Sequence, residues 1–195
     1  MDKIHKLLPI QQRDLRSPVV LAFNVLTNHY LAFGTSHYKS LTKIISRYNQ
    51  VDKFYLLPNV TSVSMSVEQR GAQLAERLKE LAARENIGGR VHLVTHSFCG
   101  VDARAAISLY GADANLVRSL TTVSSPHHGC RLVDNCAKYP ARFQIELAEK
   151  AFEAVGLSQG SVQEFTSGNL TDFNRVAEDV SDVDYYSIGA YKQRL

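Results

Sequence analysis

The chain has 195 residues, a formal net charge of +3 and a hydrophobic fraction of 45%. This composition argues against intrinsic disorder, and because the 22 Lys and Arg residues form no basic run, it also argues against nucleic-acid binding. The length predicts one domain over residues 1–195, which is large enough to bury a core without disulfide staples.

The sequence carries no recognisable signal for export or for membrane insertion. No apolar run reaches the roughly 18 residues of a membrane span, and residues 1–16 lack the apolar core and cleavage site of a secretory signal. Three cysteines are an odd and low number, which favours a reducing compartment over a disulfide framework. We therefore expect an intracellular protein, either cytoplasmic or mitochondrial.

Hydrophobic patterning predicts the elements of the first part of the chain. Short continuous apolar runs predict buried strands, apolar residues spaced three and four apart predict helices, and Gly, Asn and Ser clusters predict loops. In chain order, the pattern predicts a polar lead-in at residues 1–17, a strand at 18–23, a loop at 24–36, a helix at 37–48 and a strand at 51–57 that stops at Pro58.

The second part of the chain continues the alternation of helix and strand. Ser66, followed three residues later by Gln69, predicts a capping box for a helix that ends before Gly88. Gly111 predicts the end of the next helix. In chain order, the remaining elements are a strand at residues 91–94, a helix at 98–110, a strand at 117–123, helical or irregular structure at 130–180 and a strand at 183–188.

Strands that alternate with helices predict an α/β fold, with a mostly parallel sheet and helices on both faces. The region from about residue 134 to residue 180 is the exception, because Gly, Ser and Asn clusters interrupt the rhythm. We expect this region to form a helical cap or lid inserted over the edge of the sheet.

Residues 91–100 carry the strongest chemical signal in the sequence. A buried strand runs into a sharp turn at Ser97 and a helix follows at once, which is the arrangement of a nucleophile elbow. Such a turn lifts the serine hydroxyl above the sheet at a helix N-terminus, where the backbone N–H of Phe98 can hold a developing oxyanion. Thr95 and Cys99 replace the usual flanking glycines, so a plain helix-capping serine is the alternative interpretation.

Four blocks of sequence follow one another in an informative order. They are Ser17-Pro-Val-Val-Leu-Ala, Val67-Glu-Gln-Arg-Gly-Ala-Gln-Leu-Ala, Val91-His-Leu-Val-Thr-His-Ser97 and Leu120-Thr-Thr-Val-Ser-Ser-Pro-His-His-Gly129. In these blocks, over about residues 17–135, the chain resembles the α/β-hydrolase lipases, specifically the bacterial true triacylglycerol lipases and their fungal mitochondrial relatives. A fainter resemblance follows at Asp184-Tyr-Tyr-Ser-Ile-Gly.

The resemblance implies a serine ester hydrolase. The family uses a Ser, Asp and His triad in that chain order, and Ser97 matches its nucleophile. The resemblance also implies an acyl-serine intermediate, fatty-acyl esters such as triacylglycerols as substrates, a lid over an apolar cleft and no cofactor. Where the family has a His-Gly pair before its second oxyanion donor, this chain has Phe23 and Asn24, so Val25 takes the donor position.

The triad histidine that the resemblance implies has no match in the sequence. After Ser97 the only histidines are His127 and His128, which match the family's Pro-His-x-Gly loop. The family's aspartate and histidine lie beyond its counterpart of residues 184–189. We therefore expect a C-terminally truncated form, or a relative that has lost turnover, with at most trace esterase activity. The alternative function is that of a non-catalytic protein with the same fold that binds lipid or a partner.

Other residues near the elbow allow two interpretations each. His96 either shapes the oxyanion region or is hydrogen-bonded within the turn, and His127 either lines the cleft or packs in its own loop. His127, His128, Cys130 and Cys136 are metal-ligating residue types, but their spacing matches no zinc pattern, so we expect no metal. As partners we expect a fatty-acyl ester or lipid, peripheral contact with a lipid surface, and oligomerisation if the last strand leaves a sheet edge exposed.

Overall fold

The computed structural model describes residues 14–15, 17–25, 43, 50–51, 53–60, 65–112, 115–138 and 163–189. The strands within these ranges are β1 (Asp14–Leu15), β2 (Val19–Val25), β3 (Gln50–Val51), β4 (Phe54–Val60), β5 (Val91–His96), β6 (Val117–Val123) and β7 (Asp184–Ile188). The helices within them are α1 (Val67–Arg84), α2 (Cys99–Leu109), α3 (Arg131–Lys138) and α4 (Ser167–Val176).

Five of the strands form one sheet in the order β4-β2-β5-β6-β7, and all four neighbouring pairs are parallel. β1 pairs with β3 in a separate parallel pair. In β2 the successive residues 19–23 are all buried, as a strand covered on both faces requires. The predicted α/β fold with a parallel sheet is therefore confirmed.

Three strands continue past their predicted ends, among them β5, which was predicted to end at residue 94 and runs on to His96. β4 runs through Pro58 to Val60, although the sequence predicts a stop at Pro58, and β2 runs on to Val25. β4 lies at the edge of the described sheet with β2 as its neighbour. An edge strand tolerates proline because one side of its backbone needs no N–H donor for a partner. The stop predicted at Pro58 was wrong for this reason.

Some predicted features lie outside the described residues. They include most of the lead-in, the helix at 37–48 apart from Lys43, and the central part of the predicted cap at 139–162. The assignment of residues 134–180 to a cap or lid stays a prediction. No helix within the described ranges is long and apolar enough to cross a membrane.

α1 and α2 pack together in the main hydrophobic core. α1 begins with the predicted capping box, in which the Ser66 hydroxyl accepts from the Gln69 N–H at 3.2 Å and the Gln69 side-chain oxygen accepts from the Ser66 N–H at 2.9 Å. Gly71 brings the two helices close, because a Cβ on Gly71 would lie 2.5 Å from the Cβ of Ala105. The largest fully buried side chains of this core are Leu74, Leu78, Leu93, Ile107 and Leu120.

A second buried cluster joins α4 to α2. Leu170 and Phe173 of α4 are buried together with Val101 of α2. Arg104 of α2 also donates to the carbonyl oxygen of Ala177 at 2.8 Å, just beyond the end of α4. The described C-terminal part of the region predicted as a cap is therefore packed against the helix that follows Ser97.

Candidate active site

The connections between strands change direction between β2 and β5. The chain passes from β2 to its neighbour β4 on one side, then through α1 to β5 on the other side. In open parallel sheets, ligands bind at the carboxyl ends of the strands at such a switch point. β2 and β5 are in register only as far as Ala22 and Thr95, so their carboxyl ends are not paired with each other beyond these residues. The topology thus indicates where a site is expected.

Ser97 lies in the turn between β5 and α2, at this switch point. Its φ is +57°, a left-handed conformation that costs a residue other than glycine about 1–2 kcal/mol. The Ser97 N–H donates to the Val123 carbonyl oxygen at 2.9 Å, and the Ser97 carbonyl oxygen accepts from the Gly100 N–H at 3.1 Å. The predicted sharp turn at Ser97, between a buried strand and a helix, is confirmed.

The helix-capping interpretation of Ser97 is wrong. The N-cap residue of α2 is Phe98, and its side chain makes no capping hydrogen bond. Ser66 and Thr166, which cap helices in the described part of the chain, have extended backbones with φ of −72° and −66°, and their hydroxyls accept from helix N–H groups. Ser97 differs from both in conformation and in position, so capping does not explain its strain.

The start of α2 presents, beside Ser97, an N–H that no described residue accepts from. The carbonyl oxygen of Phe98 accepts from the N–H groups of Val101 and Asp102 at 3.0 and 3.2 Å, whereas its own N–H has no partner among the described residues. A helix N-terminus carries unsatisfied N–H groups and the positive end of the helix dipole. Such a group next to a serine hydroxyl can hold an oxyanion.

The residues aligned with the second oxyanion donor lie at the end of β2. Phe23, Asn24 and Val25 extend β2 beyond its pairing with β5 and remain in register with β4, where Val25 pairs with Val60. Phe23 is buried. Val25 therefore ends the strand next to the strand that leads to Ser97, and the role of its N–H stays a prediction.

The position in the elbow that has no room for a Cβ is Gly100, one residue later than the second glycine of the usual motif. A Cβ on Gly100 would lie 2.1 Å from the Oγ and 2.7 Å from the Cβ of Ser125, in the loop after β6. Thr95 and Cys99, at the usual glycine positions, are both fully buried and have side chains. This chain therefore needs its glycine at residue 100 because α2 packs against the β6 loop there.

His127 lies in the loop after β6, the strand next to β5. Its Nε2 is 2.9 Å from the Thr122 hydroxyl, which is itself 3.3 Å from the Tyr186 carbonyl oxygen. Burial lowers the pKa of His127, and the nearby charges of Arg104 and His128 lower it further. The imidazole is therefore neutral at neutral pH and engaged with the sheet.

No histidine near the turn is hydrogen-bonded to a carboxylate within the described ranges. His96 ends β5 with an exposed side chain, and partial burial lowers its pKa. His128 is also exposed. Asp102, the carboxylate that follows Ser97 most closely in sequence, is fully buried and lies 2.9 Å from the Nε of Arg70. The described part of the chain thus supplies Ser97 with no histidine–carboxylate pair.

Three polar side-chain atoms near the start of α2 are buried without a hydrogen-bond partner among the described residues: Thr95 Oγ1, Ser125 Oγ and His127 Nδ1. Thr95 is the register partner of Thr122, to which His127 binds. The region is therefore polar as well as close-packed. In the described ranges, no three His, Cys, Asp or Glu side chains come together as a metal site requires.

The arrangement of strands and helices is similar to that of several bacterial ester hydrolases. Bacillus licheniformis lipase BlEst2 in its mature form matches with a TM-score of 0.63 and 18% identity, over 91% of this chain and 66% of that chain. Phospholipase PlaB from Legionella pneumophila gives 0.65 and 16%, over 89% of this chain and 38% of that one. A metagenomic carboxyl esterase gives 0.65 and 19%, over 94% and 52% respectively. The chain has the α/β-hydrolase fold.

These neighbours confirm the predicted α/β-hydrolase fold and a likeness in structure to bacterial lipases and esterases. No family model and no curated protein matches the chain. The chain spans 38–66% of the length of the three structural neighbours. Ser97 is the residue at the turn between β5 and α2 in this chain, with φ of +57°.

The sequence analysis did not predict two side chains from other segments of the chain that contact the elbow and its helix. The ring of Phe165 stacks on that of Phe98, with centroids 3.9 Å apart. Arg70, which lies in the second block of the resemblance, pairs with Asp102. Phe165 carried no signal in the sequence, since a single phenylalanine in an irregular region indicates neither a partner nor a face.

Proposed function

We propose that the protein is a lipase- or carboxylesterase-type serine hydrolase, with Ser97 as the nucleophile and fatty-acyl esters as substrates. The observation that carries this proposal is the left-handed Ser97 turn, with φ of +57°, at the carboxyl end of β5 and directly before α2. Backbone strain of this kind persists where the surrounding structure holds it in place, and it is concentrated at functional sites.

In this proposal the Ser97 hydroxyl attacks the acyl carbonyl carbon while its proton passes to a base. The N–H groups of Phe98 and Val25 hold the resulting oxyanion. Collapse of the intermediate, with transfer of the proton from the base to the leaving oxygen, releases the alcohol and leaves the acyl group on Ser97. Water then attacks the acyl-serine, which releases the fatty acid and returns a proton to the serine oxygen. His96, Phe23 and Asn24 border this site, and no cofactor takes part.

The mechanism requires a base, and no described residue lies in position to act as one. His127 is bound to Thr122 through Nε2, and Asp102 is paired with Arg70. By resemblance, the base is a histidine oriented by an aspartate on loops later than residue 189. A serine without its base retains about 10³–10⁴-fold catalysis over water, from oxyanion stabilisation and binding alone. We therefore propose trace activity for the 195-residue chain.

A second candidate function is a non-catalytic α/β-hydrolase-like protein that binds lipid or a partner. The observation that favours it is the engagement of both His127 and Asp102 in contacts that hold the fold together. It predicts an unreactive Ser97, whereas the first candidate predicts a serine that reacts with an activated acyl or phosphonyl group.

A fluorophosphonate probe distinguishes the two candidate functions. The parent chain, Ser97→Ala and Ser181→Ala are incubated with the probe and assayed on a p-nitrophenyl ester; Ser181 is an exposed turn residue and serves as the control. Labelling and trace hydrolysis that are lost only in Ser97→Ala support the hydrolase. Absence of labelling supports the binding protein. Turnover at an ordinary enzyme rate, about 1–10³ s⁻¹, would mean that a base is present and trace activity is wrong.

The remaining partners and the location belong to the same proposal. Peripheral contact with a lipid surface is proposed from the resemblance to lipases. A cytoplasmic or mitochondrial location is proposed from the cysteine count and from the resemblance to bacterial and fungal mitochondrial lipases.

Self-association through β7 has structural support. β7 borders the described sheet with only β6 beside it, and its residues Tyr186 and Ile188 are 57% and 55% exposed.

A further inference from the structure

The elbow makes an aromatic contact with a segment from a later part of the chain. The ring of Phe98, the residue after Ser97, stacks on the ring of Phe165 with centroids 3.9 Å apart and planes at 21°. Phe165 is fully buried. Its carbonyl oxygen also accepts from the N–H of Cys130 at 3.0 Å, so both its ring and its backbone are fixed.

Phe165 also contacts Arg70, and Arg70 is paired with a residue of the helix that starts at the elbow. The guanidinium carbon of Arg70 lies 5.2 Å from the centroid of the Phe165 ring, within the range of a cation–π interaction. Arg70 is held by the Asp102 carboxylate at 2.9 Å and by the Met65 carbonyl oxygen. Because Asp102 lies in the first turns of α2, the contacts run from Phe98 through Phe165 and Arg70 back to α2.

The elbow needs such support because its own sequence supplies little. α2 has no side-chain cap, since its N-cap residue is Phe98. The residue before it, Ser97, holds a φ of +57°, which persists only where surrounding contacts over-determine it. Stacked aromatic pairs contribute stabilisation beyond the area that they bury, and this pair acts on the residue that follows the strained one.

We infer that Phe165 is a positioning residue for the elbow. Its ring fixes Phe98, and thereby sets the Phe98 N–H where an oxyanion would form beside Ser97. Phe165 touches the ring of Phe98 rather than the reacting atoms, so it acts through Phe98. The inference rests on the proposed function in one respect, the assignment of the Phe98 N–H as an oxyanion donor.

The test compares Phe165→Leu with a matched control. Phe173→Leu removes a ring from the same buried cluster, where Phe173 lies beside Arg104 rather than Phe98. The rate of Ser97 phosphonylation by a fluorophosphonate is measured on the folded protein at a fixed temperature. We expect Phe165→Leu to slow labelling about 10-fold, less than the ~10²–10³-fold loss for removal of an oxyanion donor. We expect Phe173→Leu to label at close to the parental rate.

A double-variant cycle separates positioning from general loosening. If Phe165 acts through Phe98, then Phe98→Leu slows labelling by itself, and adding Phe165→Leu has little further effect. Independent, multiplying effects of the two changes would overturn the inference. So would parental labelling in Phe165→Leu. The cycle uses Phe98→Leu as a second route to the same answer if Phe165→Leu folds poorly.

Hydrogen exchange of the Ser97 N–H needs no reactive serine. It therefore distinguishes failure of the nucleophile proposal from failure of the positioning proposal. The Ser97 N–H donates to the Val123 carbonyl oxygen, and its hydrogen exchange reports opening of the turn. We expect faster exchange in Phe165→Leu than in Phe173→Leu at equal global stability. If the parent is not labelled but this difference is seen, the nucleophile proposal fails and the positioning of the turn stands. Equal exchange in both variants would contradict the positioning.

Discussion

Gly100 is a residue at which α2 has no room for a side chain beside the loop after β6. A Cβ at this position would lie 2.1 Å from the Oγ and 2.7 Å from the Cβ of Ser125. We expect Gly100→Ala to destabilise the protein by about 1–3 kcal/mol, as over-packing of a filled core does. The measurement is the free energy of unfolding in urea.

Gly88 offers the control for this change, because a Cβ there would meet nothing within 4 Å. Gly88→Ala is expected to have little effect on stability. Addition of Ser125→Gly to Gly100→Ala should restore part of the loss, since it removes both atoms in conflict. If the Gly100 and Gly88 variants were equally stable, the close approach would be absent in solution.

His127 makes stability depend on pH. The fold lowers its pKa below the ordinary value of 6.5, first by burial and then through Arg104 and His128, while Asp179 acts in the opposite direction. Below about pH 6.5 the unfolded chain therefore binds a proton that the folded chain does not. The stabilisation is present above pH 6.5 and is lost as the pH falls through the folded pKa.

The measurement is the free energy of unfolding between pH 7.5 and pH 5. We expect the parent to lose stability on acidification, and His127→Gln to lose less, because glutamine can still bind Thr122 and does not titrate. His92 and His96 also have lowered pKa values, for which burial is the largest cause, so part of the slope remains. An identical slope in the variant would show that His127 is not responsible.

Single residues differ in how well the sequence predicted them. Ser97 was predictable because an apolar strand, a turn and a helix in direct succession leave one residue at the turn. The need for glycine at residue 100 was not predictable, since the close contact comes from Ser125 of another loop. Phe165 was beyond prediction, because stacking on Phe98 depends on how distant segments meet.

At the scale of elements, α1 and α2 are joined by the buried ion pair between Arg70 and Asp102. Their side chains are 4% and 0% exposed. Removal of one partner leaves a buried charge without compensation, which typically costs about 3–5 kcal/mol. We expect Asp102→Ala to destabilise by this amount, measured by urea unfolding.

Two comparisons check that the loss comes from the unpaired charge. In the double variant Arg70→Met, Asp102→Leu both charges are absent, so its cost should be well below that of Asp102→Ala. Asp172→Ala breaks the exposed pair with Arg175 and should cost only about 0–1 kcal/mol. If Asp102→Ala were as mild as Asp172→Ala, the pair would contribute little to helix packing.

Elements with local signals were the more predictable ones. The capping box of Ser66 and Gln69 fixed the start of α1, and Gly111, with φ of +70°, ends α2 as predicted. The error at β4 has a non-local cause. Proline stops a strand that is paired on both sides, and only the strand order shows that β4 lies at an edge of the described sheet.

At the scale of the whole molecule, β7 forms one edge of the described sheet and carries exposed apolar side chains. We expect the protein to self-associate through this edge, and expect Ser187→Pro or Ile188→Lys to weaken the association by blocking an N–H or adding charge. Sedimentation velocity over a range of concentrations measures it. Val176→Lys, at a 62% exposed position on α4, is the control. A parent chain that is monomeric at every concentration would contradict this prediction.

The alternation of strands and helices predicted a parallel sheet, but it left the order of the strands open. The order β4-β2-β5-β6-β7 places the switch point between β2 and β5, and with it the residues on either side of the candidate site. That the strand ending at Val25 neighbours the strand leading to Ser97 could be expected from the sequence only through the resemblance to lipases. Hydrophobic periodicity predicts which face of an element is buried, but it does not predict which other element lies next to it.

The packing of α4 and β7 has a consequence for how the polypeptide can be divided. Residues 163–189 supply a parallel strand, with five residues in register with β6, and two buried phenylalanines. Among the described elements, those that they contact all precede residue 139. Two separate peptides, 1–138 and 163–195, should therefore recognise each other and reconstitute the fold when mixed. A shorter second peptide that begins at Ser167 would lack the Phe165 ring. It should bind more weakly and leave the serine turn less well formed.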